Sequence, residues 1–470
     1  MRNYFRFSRV DDQYLITNEF GRYAFLPADV FEDLKNNRIH SGHPFYDELS
    51  DSFFLFDDDP ELFFQRVEGY SRSSRRYLFA GTSLFIFVLT NQCNMSCRYC
   101  QANSPLSQCV GMMSEETARK AVDLVFSSPA KFISIEFQGG EPLINWHIIT
   151  VITEYAERLA ETADKQVQFS LVSNLLLLDD EMVQFIKAHN IGVSTSLDGD
   201  STVHDFNRRL RSGGETFDKV AEKIAFLQKN EVRPGAIETT TAKTLSNPRA
   251  LIDTYVSLGL NSVFLRPLTP LGVAQKNWDT IGYTPDQFIE FYRICIDYLL
   301  ELNKNGTYIS EGHASIFLGK ILFSDSANYM ELRSPCGAGI GQMAFNYDGG
   351  VYTCDEARML AEQEDESFRL GTVDSKYDEL IDNEVCKTVC SASVLDSIPE
   401  CCECVYQPYC GTCPVVNYAL YGDIFVKTPN NYRCRLYKGI LNVLFSIIRR
   451  NDPDDMEVLK SWCTGRSIDL

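Results

Sequence analysis

A chain of 470 residues can bury a large core and hold more than one domain. With 44% hydrophobic and 23% charged residues, global disorder is excluded. A formal net charge of −20 argues against a nucleic-acid backbone or an anionic membrane as the main partner and leaves a basic peptide compatible.

Residues 1–80 read as a small α+β unit. Apolar runs at 4–7, 14–17 and 23–26 predict short strands, and the pattern at 27–36 predicts a helix. The acidic turn at 57–60 and the basic stretch at 71–76 read as a linker. Met1 to Phe7 lacks an apolar signal core, and the run at 84–89 is too short to span a bilayer, so a cytoplasmic protein without a membrane anchor is expected.

From 84 to 305 apolar strands alternate with amphipathic helices. Strands are predicted at 84–90, 132–138, 167–173, 192–197, 235–240 and 262–267. Helices are predicted at 114–127, 148–161, 179–189, 217–230 and 248–258, the first opened by Ser114 as N-cap with Glu115 and Glu116 in its first turn. Six βα repeats imply a parallel sheet closed into a barrel or partial barrel. Residues 306–335 form a bridge. From 336 to 436 glycines and cysteines accumulate with little apolar periodicity, which predicts a poor core held together by metal centres. A helix at 437–449 and a tail to 470 close the chain.

Sixteen cysteines in a chain without a signal peptide point to metals or redox chemistry rather than disulfides. Cys93, Cys97 and Cys100 are spaced C-x3-C-x2-C directly after the first barrel strand, at the end where barrel enzymes do chemistry. A structural zinc would take a fourth Cys or His, and neither His147 nor Cys109 has finger spacing. A [4Fe–4S] cube on three thiolates would leave one iron open for a ligand.

That spacing resembles the signature of the radical SAM superfamily, in which S-adenosylmethionine (SAM) chelates the open iron and yields a 5′-deoxyadenosyl radical. Gly139, Gly140, Glu141 and Pro142 resemble the family's GGEP turn, which meets the methionine amine. Glycines there would let the backbone approach the ligand, and the carboxylate would pair with an ammonium. By the same resemblance Ser173 and Asn174 end the third strand, and Ser194, Ser196 and Asp198 the fourth, facing the ribose and carboxylate of SAM. Arg208 matches an arginine that approaches the SAM carboxylate, with Arg209 a weaker claimant. Tyr99 matches the aromatic position near the adenine, and Leu265 is either an adenine contact or plain core.

Beyond the barrel, Cys336, Gly349 and Cys354, then Cys401, Cys404, Cys410, Cys413 and Cys434, resemble the SPASM extension of peptide-modifying radical SAM enzymes. The gap between Cys410 and Cys413 is two residues where that family commonly has three. The resemblance implies one auxiliary [4Fe–4S] cluster on Cys401, Cys404, Cys410 and Cys434. A second would sit on Cys336, Cys354 and Cys413, its fourth ligand being Cys386, Cys390, Cys402 or none. Cys109, Cys295 and Cys463 are expected to be unligated. Asp355, beside Cys354, matches an aspartate that acts as general base in sulfatase-maturating relatives; a carboxylate bonded to local backbone is the alternative.

The fold class implied is α/β: a partial (β/α)6 TIM-type radical SAM barrel with a small N-terminal α+β domain and a C-terminal cysteine-rich SPASM domain. The stretches 15–26, 137–145, 333–342 and 409–415 resemble the maturases of the His-Xaa-Ser repeat systems. This implies a ribosomally made precursor peptide as substrate and a reductase such as flavodoxin or ferredoxin as electron source. Residues 1–80 would then be a winged-helix-like leader-binding domain, or alternatively a cap on the barrel. A formylglycine-generating sulfatase maturase and a non-catalytic zinc scaffold are the competing readings.

Overall fold

The computed structural model describes residues 2–56, 60–102, 111–324, 330–425 and 431–464; Cys109 and the acidic residues 57–59 lie outside them. Strands β1 (Arg6–Val10), β2 (Gln13–Thr17) and β3 (Tyr23–Pro27) form an antiparallel sheet in that order, followed by helix Ala28–Lys35. Its apolar face, with Ile16, Leu26, Phe31 and Leu34, makes a small core of its own.

The predicted linker is instead a helix, Pro60–Ser74. Phe63 and Val67, one turn apart, are buried and pack with Phe53. The Ser/Arg-rich composition at 71–76 masks this i, i+4 pair.

The chain continues through β4 (Leu84–Val88), the short β5 (Met95–Cys97), β6 (Phe132–Gln138), β7 (Gln166–Val172) and β8 (Gly192–Ser196). Then come the short β9 (Arg208–Leu210), β10 (Gly235–Thr239), β11 (Ser262–Arg266) and the two-residue β12 (Ser310–Glu311). Sheet order β12-β11-β10-β8-β7-β6-β4, parallel throughout, is the partial barrel that the alternation predicts. Helices Glu115–Phe126, Trp146–Ala163, Asp180–Ala188, Phe217–Lys229 and Pro248–Ser257 cover it at the predicted places. The Ser114 side chain accepts a bond from the Thr117 N–H, as its capping role requires.

An open barrel leaves two strand edges unpaired, which costs backbone hydrogen bonds and invites aggregation. Here one edge takes β12, where the fully buried Glu311 accepts from the Leu265, His313 and Ala314 N–H groups and from the Tyr292 hydroxyl. The other edge, β4, takes β13 (Gln342–Phe345) in parallel. Strands β14 (Gly350–Tyr352) and β15 (Arg369–Thr372) then follow antiparallel. The cysteine-rich region therefore continues the barrel sheet.

Its core is also better than its composition suggests. Cys336, Cys354 and Cys413 sit among Ala344, Tyr352, Phe368 and Val416, together with Ile86 and Val88 of β4. A shared core is invisible to a local pattern. The terminal helix, predicted at 437–449, begins earlier and runs over Tyr432–Arg450. It is capped by Asn431, which accepts from the Arg433 and Cys434 N–H groups, and a further helix, Pro453–Thr464, follows it.

The N-terminal unit packs on the C-terminal region. Arg6 Nε donates to the Cys402 carbonyl at 2.7 Å, Thr17 Oγ1 to the Val405 carbonyl at 2.7 Å, and Tyr409 donates to the Gly21 carbonyl at 3.1 Å. Arg449 pairs with Asp11 and Asp12.

Candidate active site

At the C-terminal ends of the barrel strands a cavity of about 530 Å³ opens. Cys93, Cys97 and Cys100 all line it. Two features fold their loop into place. Strand β5 pairs antiparallel with β9, setting Cys97 opposite Arg208. The Gly139–Gly140 turn lies against the start of the loop: the Gly140 N–H donates to the Thr90 carbonyl at 2.8 Å and the Glu141 N–H to the Gln92 carbonyl at 2.7 Å. A Cβ on Gly139 would stand 2.4 Å from the Thr90 oxygen, and one on Gly140 2.1 Å from the Gln92 oxygen. Both glycines line the cavity, but this close backbone approach is a second reason for them.

Glu141 is not left waiting for an ammonium. Its carboxylate is 1% exposed and accepts from the Leu143 N–H at 3.1 Å, the Ser173 hydroxyl at 2.7 Å and the Asn174 N–H at 2.8 Å. A carboxylate offers about four acceptor positions, so one remains. The side chain ties the second strand's loop to the third. Asn174 in turn donates to Asn94 Oδ1 at 2.7 Å and reaches Cys93 Sγ at 3.9 Å.

A buried chain of polar groups stands behind the thiols. Arg208 donates to the Tyr99 hydroxyl at 2.7 Å, and Tyr99 donates to Asp198 Oδ2 at 2.7 Å. Asn207 donates to the same oxygen at 3.2 Å, and the Thr239 N–H to the other at 3.2 Å. The Tyr99 ring is 7% exposed and Asp198 fully buried. Arg208 keeps its Nε without a partner. Desolvation opposes its charge, but Cys97, Tyr99 and Asp198 around it outweigh this and hold it well above the usual arginine range. His204 is pushed down to about 3 by burial, Arg208 adding to the effect, and stays neutral.

Among the predicted cofactor residues, Tyr99, Gly139, Gly140, Ser173, Asn174, Ser196 and Arg208 line the cavity. Glu141, Pro142, Ser194 and Asp198 are not among its lining residues. Arg209 turns away, its Nε on the Asp205 carbonyl, and Leu265 is core with no exposure. Sequence reasoning missed Thr239, Arg266, Lys276 and Met359, which also line the cavity. Arg266 had a signal, since it ends the sixth barrel strand. Met359 had none, because it arrives from helix Asp355–Ala361 of the C-terminal region.

Asp355 opens that helix and pairs with Arg358, which is 1% exposed; its partner is thus an ion, not local backbone. Cys401, Cys404, Cys410 and Cys434 line one small cavity with Lys438 beside them. Cys336, Cys354 and Cys413 gather in the shared core. Cys386 and Cys390 are free thiols one helical turn apart on helix Glu384–Ala392, and Cys295 is fully buried.

The donor sets fit iron–sulfur clusters. The thiols are all free among the described residues, with one set of three on the large cavity and one set of four on the small one; no three His, Cys, Asp or Glu among the described residues converge tightly enough to grip a single ion. Burial raises Cys93 to about 11 and Cys97 to about 12, so cluster assembly has to displace thiol protons. Arg208, Arg211, Arg266 and Lys276 give the large cavity a cationic lining suited to a carboxylate-bearing ligand.

Residues 87–245 match the family described as the Radical SAM superfamily. This stretch is similar to the radical SAM superfamily. The chain is 26% identical over 284 residues to the cysteine-type anaerobic sulfatase-maturating enzyme of Clostridium perfringens (strain 13 / Type A), a match that covers 58% of this chain and 74% of that one. The fold is similar to native anSMEcpe with bound AdoMet, with a TM-score of 0.68 at 22% identity over 81% of this chain and 99% of that chain. It is also similar to Streptococcus suis SuiB bound to precursor peptide SuiA, with a TM-score of 0.54 at 12% identity, over 90% of this chain and 98% of that chain. Both are likenesses of fold and cover most of this chain. No helix among the described residues is long and apolar enough to cross a membrane.

Proposed function

We propose that the protein is a radical SAM/SPASM peptide maturase that removes hydrogen from a carbon of a ribosomally made precursor peptide, installing a cross-link or an oxidation. The observation that carries this reading is the placement of Cys93, Cys97 and Cys100 on a cationic cavity that also receives Met359 from the helix bearing Asp355. When bound, a [4Fe–4S] cube and SAM would supply the hydrogen-abstracting radical there. Two auxiliary clusters, on Cys401/Cys404/Cys410/Cys434 and on Cys336/Cys354/Cys413, would take the electron released by the oxidised peptide, with flavodoxin or ferredoxin as the external donor. The finer assignment to the His-Xaa-Ser maturases rests on the sequence resemblance.

The chain's own residues divide the work. Arg208, locked by Tyr99 and Asp198, holds the SAM carboxylate. Gly139 and Gly140 bring backbone to the methionyl amine, and Ser196 and Asn174 face the ribose. Arg208→Ala is expected to weaken SAM binding roughly ten- to a hundredfold, the loss of a charge-assisted bond of about 1.5–3 kcal/mol. Equilibrium dialysis on the reconstituted protein measures this, and an unchanged affinity removes Arg208 from the SAM contacts.

Asp355 takes the proton that leaves as the substrate radical is oxidised, and Arg358 holds its carboxylate toward that task. Asp355→Asn is expected to lower product formation by about a hundredfold or more while SAM cleavage continues. Equal product yields from both proteins would leave Asp355 with the structural pairing to Arg358 alone.

Strand β1 is an edge of its sheet and carries the exposed Phe7. This supports binding of a leader peptide as an added strand. Co-expression with a precursor peptide, followed by tandem mass spectrometry, tests the whole reading. Loss of two hydrogens from the peptide supports a cross-link or oxidation. Formylglycine, which from cysteine also loses sulfur, would favour the sulfatase-maturase alternative that the Clostridium relative raises. A colourless, zinc-loaded protein after anaerobic purification would defeat both.

A further inference from the structure

Thr90, Asn91 and Gln92 lead into Cys93 and are held from two sides. On one side the Gly140 N–H meets the Thr90 carbonyl and the Glu141 N–H the Gln92 carbonyl. On the other, the Asn91 side chain turns toward the C-terminal region. Its Nδ2 donates to Glu362 Oε2 at 3.3 Å and to the Tyr347 hydroxyl at 3.2 Å, and its Oδ1 accepts from the Gly111 N–H at 3.1 Å. Gly111 lies against the Tyr347 ring, where a Cβ would come within 1.6 Å of a ring carbon. The other oxygen of Glu362 accepts from Asn346 Nδ2 at 3.2 Å. Asn346 directly follows β13 and, like Asn91, is buried. One carboxylate therefore bridges two interior amides, one on the cysteine loop and one at the end of the strand that closes the barrel edge.

Glu362 is also the C-cap of helix Asp355–Ala361. That helix carries Asp355 at its first position and brings Met359 to the large cavity. Ala357 and Leu360 seat it in the shared core, but apolar burial is non-directional and leaves small slides and rotations open. Hydrogen bonds to a carboxylate are directional and roughly twice as strong as neutral ones. Here they run from the helix end to a residue two places before Cys93.

We propose that Glu362 is a positioning residue: through Asn91 it fixes the helix bearing Asp355 and Met359 against the loop bearing Cys93, Cys97 and Cys100, and so couples SAM cleavage to oxidation of the peptide. The coupling rests on the proposed function, in which Asp355 takes the substrate proton. Radical formation does not need the bridge; the bridge sets where the proton acceptor stands when the substrate radical is oxidised.

The test uses the full chain with its clusters reconstituted and SAM bound. Glu362→Ala removes both acceptors, and Glu362→Gln keeps the shape but offers one acceptor where two amides donate. Either variant is expected to speed hydrogen–deuterium exchange over residues 355–362 roughly tenfold. Exchange in β13 and β14, and 5′-deoxyadenosine formation from SAM and dithionite without peptide, should stay within about twofold, because the opening is local. With the precursor peptide of the co-expression experiment as substrate, product per 5′-deoxyadenosine is expected to fall by about tenfold or more, since a small misplacement of a reacting group is costly. Asn91→Asp added to Glu362→Gln exchanges donor and acceptor across the bridge and should restore both values. Asn91→Asp alone sets two carboxylates face to face and should not. A general packing defect would not be repaired by that pair. Unchanged exchange in Glu362→Ala, an unchanged product ratio, or no rescue by the paired variant would overturn the proposal. A native protein that modifies no peptide would instead defeat the proposed function, and the exchange data would still decide whether Glu362 holds the helix.

Discussion

Replacing Cys93, Cys97 and Cys100 together by alanine is expected to abolish SAM cleavage and to lower bound iron from about twelve to about eight per chain. The three thiols share one cavity wall, and the seven cysteines proposed as auxiliary ligands lie in two separate places. The loss should therefore be confined to one cluster. The fold should survive, because β5 is held by backbone pairing with β9, by the Arg98 N–H on the Asn207 carbonyl at 2.9 Å and by Asn277 on the Arg98 carbonyl at 2.8 Å. Iron and sulfide analysis with a 5′-deoxyadenosine assay decides it. Persistent SAM cleavage would refute the assignment of these residues, and loss of all iron would show that the three sites assemble as one unit.

The second large effect is expected at Gly140. In Gly140→Ala the new Cβ would lie 2.1 Å from the Gln92 carbonyl oxygen and 2.8 Å from that of Asn91, which are backbone atoms that cannot rotate away. The turn has to separate from the cysteine loop, breaking the bonds from Gly140 to Thr90 and from Glu141 to Gln92. Overpacking of this kind costs about 1–3 kcal/mol, and each lost bond about 1 more. A clear fall in thermal stability is expected, with weakened SAM binding and cluster retention, because the displaced segment leads directly into Cys93. Gly69→Ala is the matched control. It lies exposed in helix Pro60–Ser74 with nothing within 4 Å of its added Cβ, so it should be neutral or stabilising by up to about 1 kcal/mol. Equal behaviour of the two variants would mean that the turn is not pressed on the loop.

The βα repeats were legible in the sequence because each strand is an apolar run and each helix carries its own amphipathic stripe. The strand expected at 132–138 is β6 over those same residues, and the helix expected at 217–230 ends one residue earlier. The cysteine spacings were equally legible, being local. The helix Pro60–Ser74 was not, since among its described side chains only Phe63 and Val67 are buried and the charged composition around them reads as linker. The core around Cys336 and Cys354 was not either, because Ile86 and Val88 supply part of it from far away in the chain.

The sequence by itself determined the repeat architecture, the three cysteine groups and the position of the first of them at a strand end. These depend on residue type and spacing, which act over a few residues. Only the tertiary structure decided that β13 closes the open edge at β4, that Arg208 stands opposite Cys97, and that Glu141 is committed to Ser173 and Asn174. Each of those is a pairing between segments distant in the chain, selected by the need to satisfy buried backbone and charge once the barrel has closed.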